Sequence, residues 1–210
     1  MADKTREIKK TRNQQSQETV RLILRETMKC FLKKGYHGTS INDIAQATGL
    51  TKGALYFHFK SKEHLLRRFM EQYESHFLNG LIHAVSQVEG GALDKLEKVT
   101  RYCAAFGYYN RELCVSFTKL AAELMGVRLG IETEIKRIYG KYQDFLKKIV
   151  VQGKKEKVFG KEINPDMTAL LIMAFHDGML LQWSMNKDKL KGDHFVRNYR
   201  KILLDGVLSS

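Results

Sequence analysis

The chain has 210 residues, 43 % of them hydrophobic, a single proline and a net charge of +13. That much apolar content excludes a disordered chain, and so little proline with few alternating runs argues against a β-fold and for an all-α protein. The surplus charge is concentrated: residues 1–72 carry nine Lys and six Arg against seven Asp and Glu, a net of +8, which suggests a polyanion-binding module at that end.

The polar start, MADKTREIKKTRNQQSQ, does not read as a signal peptide, and the longest apolar stretch, near MTALLIMAF, is too short to cross a bilayer. A soluble, cytoplasmic protein is expected. Cys30, Cys103 and Cys114 make an odd count without CxxC spacing, consistent with buried thiols in a reducing compartment.

Residues 1–16 are basic and lack an apolar period, and are expected to form a flexible arm. Val20, Ile23, Leu24, Thr27, Met28 and Phe31 then follow a helical period that Gly35 ends. In GTSINDIAQATGLTKGALYFHF, Ser40 and Asp43 have capping-box spacing, Ile41, Ile44 and Ala45 give a short helix its apolar face, and Gly49 breaks it. Thr51 can cap the next short helix and Ser61 a longer one, from about Lys62 to Ser86. Two short helices joined by a glycine turn, with a longer helix before them, describe a helix-turn-helix over residues 17–60. Residues 61–90 read as a connecting helix.

Gly90-Gly91 marks the clearest break, and residues 91–210 read as a larger helical domain. Helices are expected at 92–109, 111–125, 128–152, 165–186 and 193–208. The third carries one seam: Ile131, Ile135, Ile138, Tyr142, Phe145 and Ile149. The fourth is apolar nearly all round, so it needs burial on every side, by its own core and by a partner subunit. A homodimer joined through 165–186 and 193–208 is expected, with Leu171 and Leu203 among its contacts.

Residues 31–66, FLKKGYHGTSINDIAQATGLTKGALYFHFKSKEHLL, resemble the TetR family of bacterial transcriptional regulators in the order and spacing of the Gly-Tyr pair, the TS…DIA helix, GLTKGALY and HFKSKEHLL. The resemblance implies that 51–58 is a recognition helix entering the major groove of operator DNA. Gly53 and Ala54 then let the backbone approach closely, Lys52 reaches a base edge or phosphate, and Thr51 caps the helix beside a phosphate. By the same resemblance Tyr56 and His58 bond the DNA backbone, and Thr39 and Lys62 are further phosphate contacts. Phe57 and Phe59 are expected to pack inward.

The resemblance further implies a ligand-controlled regulator, most often a repressor, that leaves a palindromic operator when a small molecule enters the C-terminal domain. Candidate lining residues are Phe106, Tyr109, Phe117, Leu120, Leu124, Tyr142, Met173, His176 and Trp183, from four successive helices. The positive net charge favours an anionic lipophile such as a fatty acid or acyl-CoA. His176-Asp177 comes without a nucleophile motif, and His76 and His83 without a second ligand pair, so neither catalysis, a metal nor a cofactor is expected. Two alternatives remain: a helical enzyme or lipid carrier, and a sequence-indifferent architectural DNA-binding protein.

Overall fold

The computed structural model describes residues 2–126, 130–186, 189 and 192–208. The order is α1 (Ala2–Lys34), α2 (Ile41–Thr48), α3 (Lys52–His58), α4 (Lys62–Tyr73), a π-helical turn (Glu74–Asn79), α5 (Gly80–Ser86), α6 (Ala92–Tyr109), α7 (Arg111–Leu124), α8 (Ile131–Lys155), α9 (Pro165–Asn186) and α10 (Gly192–Val207). The one extended feature among the described residues is an antiparallel bridge between Phe159 and Leu208. The fold is all-α, as the sequence predicts.

Where the sequence predicts an arm over residues 1–16, the backbone is helical from Ala2. No glycine or proline occurs before Gly35, and Lys, Arg, Glu and Gln are good helix formers, so nothing in the chain stops the helix. The rod predicted over 62–86 is continuous but takes a π turn in the middle, which carries buried Phe77 and Leu78. The helix expected at 128–152 is α8, three residues further along; residues 128 and 129 lie outside the described residues.

Local chemistry sets the short elements. Gly35 (φ 74°) and Gly49 (φ 69°) sit in the left-handed region and close α1 and α2. Ser40 and Asp43 form the reciprocal capping box of α2, and Lys34 pairs with the same carboxylate, which is held below the usual range by Lys34 and by Ser40. The Thr51 hydroxyl accepts the Ala54 N–H at 3.2 Å, and the Ser61 hydroxyl accepts the His64 N–H at 3.0 Å. Each such cap contributes about 1 kcal/mol.

Two cores result. Ile23, Ile44, Leu55, Phe59 and Leu65 form the small one, under the helix-turn-helix. The large one begins with Phe31 and Tyr36 at the end of α1 and runs through α4–α10. In α8 the predicted seam is buried except at Phe145, which is half-buried beside buried Leu146. Helix α9 is split by face: Ala169, Ile172, Met173 and His176 point inward, whereas Met167, Leu170, Leu171, Phe175, Leu181 and Met185 are exposed.

Candidate nucleic-acid interface and ligand cavity

Helix α3 is anchored by Leu55 and Phe59, four residues apart on its inner face. Thr51, Lys52 and Gly53 are exposed, and Ala54 and His58 half-buried. A Cβ placed on Gly53 would meet only the Thr51 hydroxyl, at 3.8 Å, so the leading edge is slim and open. Tyr56 is 51 % exposed beside it. Phe57 corrects the expectation that it packs inward: it is 83 % exposed. Two residues past Leu55 it lies on the opposite side of the helix, and Leu55 and Phe59 already fill the small core.

Two expected phosphate contacts are placed elsewhere. Thr39 is 1 % exposed, and its hydroxyl donates to the Gly35 carbonyl at 2.6 Å, closing the turn between α1 and α2. Lys62 folds back onto the same turn. Its ammonium donates to the Tyr36 and Thr39 carbonyls, both at 2.8 Å, and lies 4.2 Å from the centre of the Tyr36 ring. Burial holds Lys62 below the usual lysine range. The resemblance could not reveal this, because the same lysine serves either a phosphate or two free carbonyls of a turn.

The turn is gripped from the other side by α7. The Glu123 carboxylate accepts the Tyr36 and His37 N–H groups at 3.0 and 2.9 Å, and Lys119 donates to the Leu32 carbonyl at 2.8 Å. A Cβ on Gly35 would come within 2.6 Å of that carboxylate. The helix-turn-helix is therefore fastened to the larger helical part of the chain at the end of α1.

A cavity of about 710 Å³ opens between α6, α8, α9 and α10, with buried Tyr73 and Phe77 also in its lining. Of the predicted lining residues, Tyr109, Tyr142, Met173, His176 and Trp183 face it. Phe117, Leu120 and Leu124 do not. They are buried on the inner face of α7, and Phe117 stacks on Tyr73 with ring centres 3.6 Å apart, one layer behind the wall. Phe106 packs against Phe77 and the core rather than the cavity. Even spacing alone could not separate a wall from the layer behind it. Sequence reasoning missed Tyr108, Tyr139, Phe195 and Tyr199; the three-residue step from Tyr139 to Tyr142 was the available signal for the first of the α8 pair.

His176 and Asp177 organise the polar lining. The Tyr142 hydroxyl lies 2.6 Å from His176 Nδ1 and the Tyr199 hydroxyl 3.0 Å from Nε2. A neutral imidazole satisfies both, one nitrogen donating and the other accepting. Burial brings the His176 pKa down to about 4. Cys103 Sγ is 3.4 Å from the Tyr142 hydroxyl, and burial pushes the Cys103 and Cys114 thiols up to about 12, so both are inert at neutral pH. Asp177 accepts hydrogen bonds from Thr118 and Tyr139, each at 3.1 Å, and burial raises its pKa.

The His176 shift has a pH consequence. The unfolded chain takes up a proton below about 6.5 while the folded imidazole stays neutral, so stability falls as pH drops from about 6.5 toward 4 and levels off below. The loss by pH 4.5 is about 2–3 kcal/mol. Urea unfolding at pH 7 and 4.5 should show a smaller loss for His176→Gln than for the wild type; an equal loss would place the pH sensitivity elsewhere.

The family described as bacterial regulatory proteins, tetR family, matches residues 23–69, from the first core residue of α1 into α4. The match assigns that segment, with its helix-turn-helix, to this family. Over the longer span it is 25 % identical to the HTH-type transcriptional repressor DhaR of Mycobacterium sp. (strain GP1), covering 79 % of this chain and 82 % of that protein. The MbdR regulator of Azoarcus sp. CIB superposes with a TM-score of 0.82 at 28 % identity, over 91 % of this chain and all of that one. The FadR regulator of Bacillus subtilis, solved in complex with stearoyl-CoA, superposes at 0.74 over 89 % of this chain and 98 % of that one; at 20 % identity it shares the fold. The chain is thus similar over most of its length to helix-turn-helix regulators of transcription, and the family match spans α2 and α3.

Proposed function

We propose that the protein is a homodimeric repressor that holds a palindromic operator through its two α3 helices and leaves it when a small lipophilic molecule fills the cavity. The observation that carries this reading is the mechanical link between the two ends. Helix α7 holds the cavity's Asp177 through Thr118 and, one residue and five residues on, holds the end of α1 through Lys119 and Glu123. A ligand that favours a different position of α7 shifts the heads away from the spacing that fits two half-sites.

The aromatic and apolar walls support a lipophilic ligand, and FadR, of the same fold, was solved with a long acyl chain. An anionic group is less well served. Among the described lining residues the one Lys or Arg is Arg101, which is exposed and paired with Glu97 at 3.0 Å. The basic surplus lies instead toward the reading head.

Operator selection from random DNA, followed by binding in the presence of bulk competitor at physiological salt, tests the reading. No selected sequence would favour an architectural role, and turnover of a cavity ligand would favour an enzyme. On the selected operator, Tyr56→Phe is expected to weaken binding to specific and scrambled DNA alike. Lys52→Ala should cost about 1–3 kcal/mol and also relax sequence choice. If Lys52→Ala leaves the specificity ratio unchanged, Lys52 does not contact a base. Lys62→Ala should lower thermal stability and leave the salt dependence of binding nearly unchanged, because its ammonium is engaged by Tyr36 and Thr39.

A further inference from the structure

We propose that the cavity selects a flat aromatic molecule carrying a cationic amine, with the ammonium set against Asp177 and the ring held by the aromatic walls. This rests on the reading of the cavity as the effector site and names the chemistry of its ligand.

The Asp177 carboxylate lines the cavity, where its two neutral partners, Thr118 and Tyr139, use one acceptor position on each oxygen. A carboxylate has about four such positions, so two remain. None of the ion pairs among the described residues involves Asp177, although a half-buried carboxylate calls for a cation. His176 does not supply it: both ring nitrogens are taken by tyrosine hydroxyls. A cation brought by the ligand would complete the site, whereas a ligand carboxylate would face a like charge.

The walls select the rest of the molecule. Nine Tyr, Phe and Trp rings line the cavity. Their faces attract cations, and they stack with flat rings better than with chains. Tyr108 and Trp183 lie nearly parallel, ring centres 5.7 Å apart, among these walls. The volume, about 710 Å³, lies in the range of sites for drug-sized ligands and admits such a ring system with room to spare.

Four probes test this on the full chain by calorimetry and by quenching of Trp183, the chain's single tryptophan: 1-naphthylmethylamine, 1-naphthylmethanol, 1-naphthoic acid and decylamine. The aromatic amine is expected to bind about tenfold or more tighter than the alcohol, and tighter still than the acid. In Asp177→Asn, checked for folding by its melting temperature, the amine should lose that advantage while the alcohol binds as before. The wild-type panel decides even if this variant does not fold. Naphthoic acid matching the amine, or no binding by any probe, overturns the proposal. So does an unchanged amine-to-alcohol ratio in folded Asp177→Asn, and decylamine matching the aromatic amine removes the aromatic part. Operator release separates the two readings. Release by naphthoic acid with no amine binding removes this proposal and leaves ligand-controlled repression standing. Tight amine binding with no effect on DNA does the reverse.

Discussion

Leu171→Glu combined with Ile202→Glu is expected to give a folded monomer that has lost about 100-fold or more of its operator affinity, because two linked heads bind far more tightly than one. Leu171 is 60 % and Ile202 63 % exposed, on the outer faces of α9 and α10. Met167, Leu181 and Met185 extend the apolar strip along α9, more than a soluble monomer normally leaves in water. The inner face of α9 is already satisfied by Ala169, Ile172, Met173 and His176, so glutamates on the outer face should not disturb the chain's own core. Leu203, which the sequence groups with the interface, belongs to that core at 9 % exposure; Leu203→Glu tests folding instead. Sedimentation and fluorescence anisotropy decide the matter. A double variant that stays dimeric, or a monomer with full affinity, would place the interface elsewhere.

Glu123→Ala is expected to abolish the effect of the ligand on DNA binding while leaving ligand affinity intact. The variant removes two charge-assisted bonds to the Tyr36 and His37 N–H groups. Together these contribute about 1–3 kcal/mol after allowance for their partial exposure. Coupling between two sites is typically of that same size, about 1–3 kcal/mol, so losing this one contact can remove nearly all of it. Lys119→Ala, with one bond to the Leu32 carbonyl, should reduce the coupling less. The readout is the ratio of operator affinities with and without ligand, beside the ligand affinity of the DNA-free protein. A wild-type ratio in Glu123→Ala would show that α7 does not carry the response.

The reading head was legible because its chemistry is local. Ser40 with Asp43, Gly49, Thr51 and Ser61 each act within four residues of themselves, and the structure uses them as caps and turns in the order they occur. The seam of α8 was legible for the same reason, since a period repeats along one element. Thr39 and Lys62 were not. Their partners are carbonyl groups made available by a turn whose shape the side chains do not encode. The cavity was half legible. Tyr142, Met173 and His176 follow from helical spacing, whereas Phe117, Leu120 and Leu124 have the same spacing and sit behind the wall. Periodicity tells which face of α7 turns inward, but not whether packed side chains or empty space lies against it. In the sequence Asp177 stands only beside His176; Tyr139, 38 positions away, and Thr118, 59 positions away, give it its setting in the fold.

The fastening at the end of α1 also bears on how members of such a family can be recombined. Phe31 and Tyr36 lie in the large core, and the turn after them is closed by a carboxylate that the chain supplies only at position 123. A reading head cut out at residue 60 and grafted onto another member's effector domain would arrive with two main-chain N–H groups unmatched and an apolar end with no socket. Exchange of DNA specificity should therefore succeed by replacing the outward residues of α3 alone, or by moving α7 together with the head, and should fail at the boundary that the sequence makes look natural.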